Sequence, residues 1–148
     1  MIALLQRVKG ASVAVDGTTV GQTGPGLLIF LGVFEGDQKK DADFLANKSA
    51  HLRIFDDASG KMNNSIMDMG GSSLVVSQFT LCADTRKGRR PSYINAAPPD
   101  KGESLYNSFI EGLRQHDVPT EKGVFGAMMQ VSLTNDGPVT LILNSRLS

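Results

Sequence analysis

A disulfide needs two cysteines, and this chain has one, Cys82. No intrachain bridge can form, and a four-cysteine metal site within one chain is excluded. That usage suits a reducing compartment. Histidine is nearly as scarce: His51 and His116 are the only two. Each falls on a predicted helix without an evident partner, and helix-end histidines on the surface are the simplest reading. No His-x-x-x-His, Cys-x-x-Cys or carboxylate-rich spacing occurs, so neither a metal nor any other cofactor is expected. The glycine-rich phosphate loops Gly-x-x-x-x-Gly-Lys and Gly-x-Gly-x-x-Gly are missing too. Fifteen basic residues balance fifteen acidic ones. With no net charge, the molecule as a whole does not attract nucleic acid, and any RNA contact needs a local patch. Apolar runs are short. Met1–Val8 has Arg7 and Lys9 too close for a signal peptide, and no later run could span a bilayer. The expectation is a cytoplasmic protein without membrane contact.

What is present describes one globular domain, residues 1–148, with a hydrophobic content of 41% and a charged content of 20%; both are ordinary for a folded chain. Met1–Val8 and Ala11–Val15 are rich in strand formers. Asp16-Gly17 separates Ser12–Val15 from Thr18–Val20 as a two-residue hairpin turn would. Leu27–Phe34 is almost continuously apolar, so a strand buried on both faces is expected. Asp37–Leu52 reads as a helix capped by Asp37, with Phe44, Leu45, Lys48 and Leu52 at helical spacing. Asp56–Gly71 reads mostly as loop, and Ser73–Cys82 as the next strand. A second helix opens at Pro98-Pro99-Asp100, where Asp100 and Glu103 have capping-box spacing. Leu105, Phe109 and Leu113 form its buried stripe, and Pro119 bars continuation. Phe125–Leu133 alternates cleanly, and Pro138–Asn144 is the last strand. Six or seven strands with two helices inserted separately favour an α/β or α+β sheet-rich domain.

Without a catalytic histidine or a metal pattern, an enzyme of this composition works with hydroxyls, amides and backbone groups. Such a site suits a substrate that is already reactive, for example an activated ester. Two segments carry that chemistry. In Ser77-Gln78-Phe79-Thr80-Leu81, three polar side chains stand at the end of an apolar strand. Strict alternation would put them on opposite faces, so they share a pocket only if the strand bends; an ordinary strand end is the bland alternative. In Asn135-Asp136-Gly137-Pro138-Val139-Thr140, a proline without an amide stands where a strand is about to begin. A turn between two antiparallel strands explains it. So does a cis Gly-Pro bond whose carbonyls point together, away from the sheet, as two acceptors for an ammonium group.

Together these two segments resemble the motif pair of the D-aminoacyl-tRNA deacylases. The resemblance extends over nearly the whole chain. It includes Gln6-Arg7-Val8, Ala11-Ser12-Val13, Lys61-Met62-Asn63, Arg90-Pro91-Ser92 and Met129-Gln130-Val131-Ser132-Leu133. It implies an α/β domain of β/β/α layers with a distorted β-barrel and two main helices. It implies a homodimer in which the Gly-Pro motif enters the partner subunit's pocket. The reaction implied is hydrolysis of the ester joining a D-amino acid, or glycine, to the 3′ end of aminoacyl-tRNA, with L-aminoacyl-tRNA rejected by a Gly-cisPro motif. A relative with a trans Gly-Pro bond differs around the first motif, so this chain resembles the chiral-proofreading type.

The residues then take roles. Ser77, Gln78, Phe79 and Thr80 form the expected catalytic set. Two schemes stay open within it: a backbone oxyanion hole around Phe79 and Thr80 with the ribose 2′-hydroxyl activating water, or Thr80 as a nucleophile, for which no base is visible. Gly137, Pro138, Arg7, Asn135, Phe125 and Met129 form the expected substrate-binding set. Arg7 lies in an apolar strand, so its guanidinium needs acceptors, for which backbone carbonyls near Gly137-Pro138 are the candidates, or a route to solvent. Phe125 either stacks on the terminal adenine or packs into the core. Arg86, Lys87, Arg89 and Arg90 put four cations in five residues just after the first motif, a solvated loop or a phosphate contact. A catalytically silent RNA-binding module and a dimerising assembly protein are the other functional classes.

Overall fold

The computed structural model describes residues 1–147. In chain order its elements are β1 (Ile2–Val15), β2 (Thr18–Thr23), β3 (Gly26–Gly32), α1 (Lys39–His51), β4 (Phe55–Asp56), β5 (Met62–Asn64), β6 (Ser72–Ser77), α2 (Pro99–Gln115), β7 (Thr120–Lys122) and β8 (Gln130–Asn144). A 3-10 turn, Phe79–Cys82, follows β6.

β1 is long enough to serve three neighbours. Its first half pairs with β3, from Ile2↔Gly32 to Val8↔Gly26, and its second half with β2, from Ala11↔Thr23 to Val15↔Thr18. Between β1 and β2 the chain turns at Asp16-Gly17, both with positive φ (49° and 79°), as a tight hairpin requires. β8 runs antiparallel along the other edge of β1. β6 lies parallel to β3, and β7 parallel to β6. β7 and β6 both come back towards β2: the Gln22 amide donates to Glu121 Oε1 of β7 at 3.2 Å, and the Thr23 hydroxyl meets that of Ser72 of β6 at 2.6 Å. The sheet is therefore curled almost into a barrel.

Alternation sorts the strand side chains into two cores. Leu5, Leu27, Ile29, Leu31 and Val75 pack with the helices. Val8, Val13, Leu28, Leu74 and Val76 form the second core inside the curl, with Met129 and Val131 against it. Helix, sheet and curled sheet give the expected β/β/α layering. β3 is buried along both faces, which its unbroken apolar run foretold. α2 buries Leu105, Phe109 and Leu113 as expected, together with Gly102, Tyr106 and Ile110.

Several local expectations are corrected. Asp37 does not cap α1. Its carboxylate is buried, 2.7 Å from the Met1 ammonium and 2.7 Å from the Phe34 amide, with Arg146 at 3.3 Å. Asp41 instead accepts from the Gln38 amide at 2.8 Å. Phe44 is more than a third exposed while Leu45 is buried, so the α1 stripe runs through Ala42, Leu45, Ala46, Ser49 and Ala50. No side chain caps α2; Pro98 and Pro99 open it, so the Asp100–Glu103 box does not form. Asp56–Gly71 is mostly loop, as expected, with only Asp56 and Met62–Asn64 drawn into the β4–β5 pair and Asp57 accepting from the Ser59 and Lys61 amides.

Cys82 is sealed behind β3, its thiol donating to the Val33 carbonyl at 3.4 Å. Burial first, and then the charge of Asp37, push its pKa up from 9.0 to about 11. That leaves roughly a hundredfold less thiolate than an ordinary thiol has. Iodoacetamide at pH 8 is therefore expected to spare Cys82 in the folded protein and label it in urea, read by mass spectrometry. Equal labelling rates in the two conditions would contradict this placement.

Candidate active site

β6 carries the first cluster. Its residues Ser73–Val76 are buried between β3 and β7. Tyr106 of α2 donates its hydroxyl to the Val75 carbonyl at 2.8 Å, fixing the strand two residues before Ser77, and burial pushes that phenol's pKa up. β7 stops opposite Val75 and β3 stops at Gly32, so the ladder has no partners left beyond Ser77. The Gln78 amide makes the last bond, to the Leu31 carbonyl at 2.9 Å. The backbone then tightens, with Leu81 N–H donating to the Gln78 carbonyl and Ala83 N–H to that of Thr80, each at 3.2 Å. The expectation of one strand from Ser73 to Cys82 is thus corrected: a strand ends and a 3-10 turn begins.

The bend puts Ser77, Gln78 and Phe79 on one wall of a cleft of about 530 Å³. Phe125 and Met129 line it from the approach to β8, with Met128 and Val131 beside them, and Ala96, Ala97 and Pro99 complete it. Thr80 stands beside the wall, its Oγ1 accepting from Gln78 Nε2. Among the described residues no Asp, Glu, His, Lys, Arg, Cys or Tyr lines the cleft. His51 and His116 are elsewhere; their rings meet edge to face at the helix ends, 5.0 Å between centroids. Phe125 is half-buried, its ring 5.8 Å from that of Tyr106. It precedes β8: the strand expected from Phe125 begins only at Gln130, because β1 offers no partner beyond the Ala14↔Gln130 pair. Among the described residues no three His, Cys, Asp or Glu side chains are grouped to hold a metal ion.

The second cluster is an interruption in β8. The β1–β8 register passes from Gln6↔Thr140 to Val8↔Asn135, so Asp136–Val139 stand opposite Arg7 alone. Both arms of β8 pair with the same strand, which rules out a turn between two antiparallel strands; the segment is a bulge. The Gly137-Pro138 bond within it is cis. Arg7 holds the bulge from beneath. Only 7% exposed, it donates from Nε to the Asp136 carbonyl at 3.2 Å and from Nη1 to the Ile54 carbonyl at 2.8 Å. The Asp56 and Asp136 carboxylates lie 3.5 and 3.4 Å away. Asn135 ties the ends, its Nδ2 donating to the Arg7 carbonyl at 2.9 Å and the Val139 carbonyl at 3.0 Å. Gly137 and Pro138 face outwards, exposed.

The two clusters do not meet within one chain. Ser77 pairs with Leu31, and Leu31 with Ala3, four residues from Arg7 on β1. Three strand spacings and four residue rises separate them by roughly 20 Å along the sheet.

The basic run sits on a loop pinched by Asp84 and Ser92, whose backbones exchange bonds of 2.8 and 2.9 Å. Arg86 is held at the pinch by Asp84, at 2.6 and 2.9 Å, and its hydrogen bonds bring that carboxyl down to about 2. Lys87, Arg89 and Arg90 are exposed and make no ion pair among the described residues. The residue-by-residue reading missed Ala96 and Ala97, whose small side chains leave room for the cleft, and Ile54, whose carbonyl takes Arg7 Nη1. Arg7 Nε meets a backbone carbonyl beside Gly137, that of Asp136, whereas nothing local signalled Ile54.

Comparison with known proteins adds the family. A model of the family described as D-Tyr-tRNA(Tyr) deacylase matches residues 4–144. A protein of Thermomicrobium roseum named D-aminoacyl-tRNA deacylase is 60% identical over 145 residues, 98% of this chain and 94% of that one. One of the same name from Thermodesulfovibrio yellowstonii is 55% identical over 99% of this chain and 100% of its own. Among solved structures, "c-Myc DNA Unwinding Element Binding Protein" superposes with a TM-score of 0.91 at 41% identity, covering 97% of this chain and 98% of that one. A probable eukaryotic D-amino acid tRNA deacylase shares the fold, with a TM-score of 0.81 at 17% identity over 96% of this chain and 97% of that one.

Proposed function

The chain belongs to the D-Tyr-tRNA(Tyr) deacylase family, and from that premise we propose that it hydrolyses the ester of D-aminoacyl-tRNA and of glycyl-tRNA in the Ser77–Thr80 cleft and spares L-aminoacyl-tRNA. The observation that carries the detail is the separation of the two clusters. The α-ammonium and ester carbon of an aminoacyl group are only a few ångströms apart. One chain cannot present Gly137-Pro138 and Phe79 to the same substrate across roughly 20 Å of sheet. A second copy can, with its bulge entering the first copy's cleft. The outer edge of β8 supports this pairing: among the described residues β8 pairs only with β1, and Leu133, Leu141 and Ile142 are exposed along it. A long apolar edge strand invites a second chain.

In such a dimer the carbonyls of the exposed Gly137 and Pro138 accept from the α-ammonium. The ester carbonyl is fixed at the other end by the Phe79 and Thr80 amides, first in the 3-10 turn and without partners inside it. With two points of the α-carbon set, an L side chain runs into the bulge backbone, while a D side chain or a lone hydrogen points to open space. Phe125 offers one ring face to the adenine, and Met129 packs beside it. Among the described residues no helix is long and apolar enough to cross a membrane.

Matched D- and L-tyrosyl-tRNA with the purified protein test the reading: rapid loss of the D ester and survival of the L ester are expected. The 41%-identical relative with a DNA-binding name favours one rival, a non-catalytic nucleic-acid module, which predicts binding without hydrolysis of either ester.

Lys87, Arg89 and Arg90, left free by the Asp84–Arg86 pair, are proposed to meet phosphates. Arg89→Ala with Arg90→Ala is expected to leave thermal unfolding unchanged and to flatten the log–log salt dependence of tRNA binding. Each lost contact lowers the slope by about 0.9 on duplex or 0.7 on single strand. An unchanged slope would dismiss the loop as an RNA contact.

A further inference from the structure

Phe79 is 57% exposed although it stands at the wall of the cleft. Its ring meets that of Tyr93 at 5.0 Å and 65°. Tyr93 is itself 38% exposed and is not part of the cleft lining. The next residue, Ile94, is 81% exposed. Three large apolar side chains in solvent add little to a core, and the two rings hold each other in a fixed edge-to-face pose. The backbone beneath them is pinned. The Asp84–Ser92 rung precedes Tyr93, the Ala96 amide donates to the Tyr93 carbonyl at 3.0 Å, and the Glu35 amide donates to the Asn95 carbonyl at 2.9 Å.

Position gives this patch a meaning. Phe79 lines the cleft, and Tyr93 directly follows the Ser92 rung that closes the loop carrying Lys87, Arg89 and Arg90. An aromatic step between a pocket and free cations is how proteins lead a single strand: bases stack on the rings and phosphates follow the charge. We infer that the Phe79–Tyr93 pair, with Ile94, is a stacking platform for the nucleotide that precedes the terminal adenosine of the tRNA. This rests on the reading of the cleft as the site of the terminal aminoacyl-adenosine. A cleft of about 530 Å³ lies within the size range of small-molecule sites, which leaves the preceding base outside, over Tyr93. The cations beyond the patch favour a polyanion over an apolar protein segment.

The test is a ladder of substrates: D-tyrosyl-adenosine, D-tyrosyl-cytidylyl-adenosine and D-tyrosyl-tRNA, with wild type, Tyr93→Ala, Tyr93→Phe and Ile94→Ser. Tyr93→Ala is expected to raise KM roughly tenfold on the dinucleotide and the tRNA, the scale of one lost base–aromatic stack. D-tyrosyl-adenosine should stay within about twofold, and Tyr93→Phe should behave as wild type on all three. Ile94→Ser should follow the direction of Tyr93→Ala with a smaller change. An equal loss on D-tyrosyl-adenosine would move the platform to the terminal base and overturn the inference. So would an unchanged dinucleotide KM, or loss of the dimer in either variant, which would make the patch a protein contact. Binding of the uncharged cytidylyl-cytidylyl-adenosine to wild type and Tyr93→Ala reads the platform without hydrolysis. A wild type that binds it through Tyr93 yet cleaves no ester keeps the platform and loses the deacylase reading.

Discussion

Gly137→Ala is expected to slow D-tyrosyl-tRNA deacylation about a hundredfold while the protein stays folded and dimeric. The methyl is small, but the place has no room for it. Gly137 has a φ of +119°, which L side chains rarely adopt, and a Cβ there would stand 2.9 Å from Val139 Cγ2 and 3.0 Å from Arg7 Nη2. The backbone term alone is worth about 1–3 kcal/mol. Arg7 cannot retreat, because it is buried and bonded to the Ile54 and Asp136 carbonyls. The bulge must therefore yield, and it carries the two carbonyls proposed to hold the substrate ammonium. A shift of about 1 Å in such a positioning group costs on the order of a hundredfold in rate. Because the proposed selector is backbone, the loss should be similar for D-tyrosyl and D-aspartyl esters, whereas a side-chain pocket would separate them. Single-turnover rates on both D esters and on L-tyrosyl-tRNA, with melting and sedimentation in parallel, check this. A folded dimer with unchanged rate and unchanged D/L selectivity would place the selector elsewhere.

Sequence patterns foretold those parts of the structure that local chemistry decides. The β3 run, the α2 stripe and the Asp16-Gly17 turn are each written in a few adjacent residues. The errors fall where a distant partner decides. Asp37 has the side chain of a cap, but the Met1 ammonium and the Phe34 amide claim its carboxylate. Ser73–Cys82 has strand composition to its end, yet β3 and β7 stop first and the ladder cannot go on without them. Phe125–Leu133 alternates, and its odd residues up to Val131 are half-buried while Leu133 is exposed, but β1 ends before Phe125 could pair. The same holds for the site. The residues of both motifs stand out in the sequence. That Arg7 faces the bulge alone is a matter of register between strands more than a hundred residues apart in the chain, and no local pattern encodes it.

The second large effect concerns the substrate rather than the protein. A D-tyrosyl-tRNA ending in 2′-deoxyadenosine is expected to be hydrolysed at least about a hundredfold more slowly than its ribose counterpart, the usual scale of a lost proton-transfer partner. Thr80→Ala should stay within about tenfold of wild type on the ribose substrate, well short of that loss. The motive is what surrounds Thr80. Its Oγ1 already accepts from Gln78 Nε2, and among the described residues no titratable side chain lines the cleft. The two histidines are engaged with each other at the helix ends. A threonine without a base is a poor nucleophile, whereas the vicinal hydroxyl of the substrate stands beside the reacting carbon and can orient water. The Phe79 and Thr80 amides survive the Thr80→Ala change, so the proposed oxyanion hole survives with them. Acid-quenched single turnovers on both substrates, each corrected for its spontaneous hydrolysis, separate the schemes. An acyl-threonine adduct in the quench, or equal corrected rates on the two substrates, would return the nucleophile's role to Thr80.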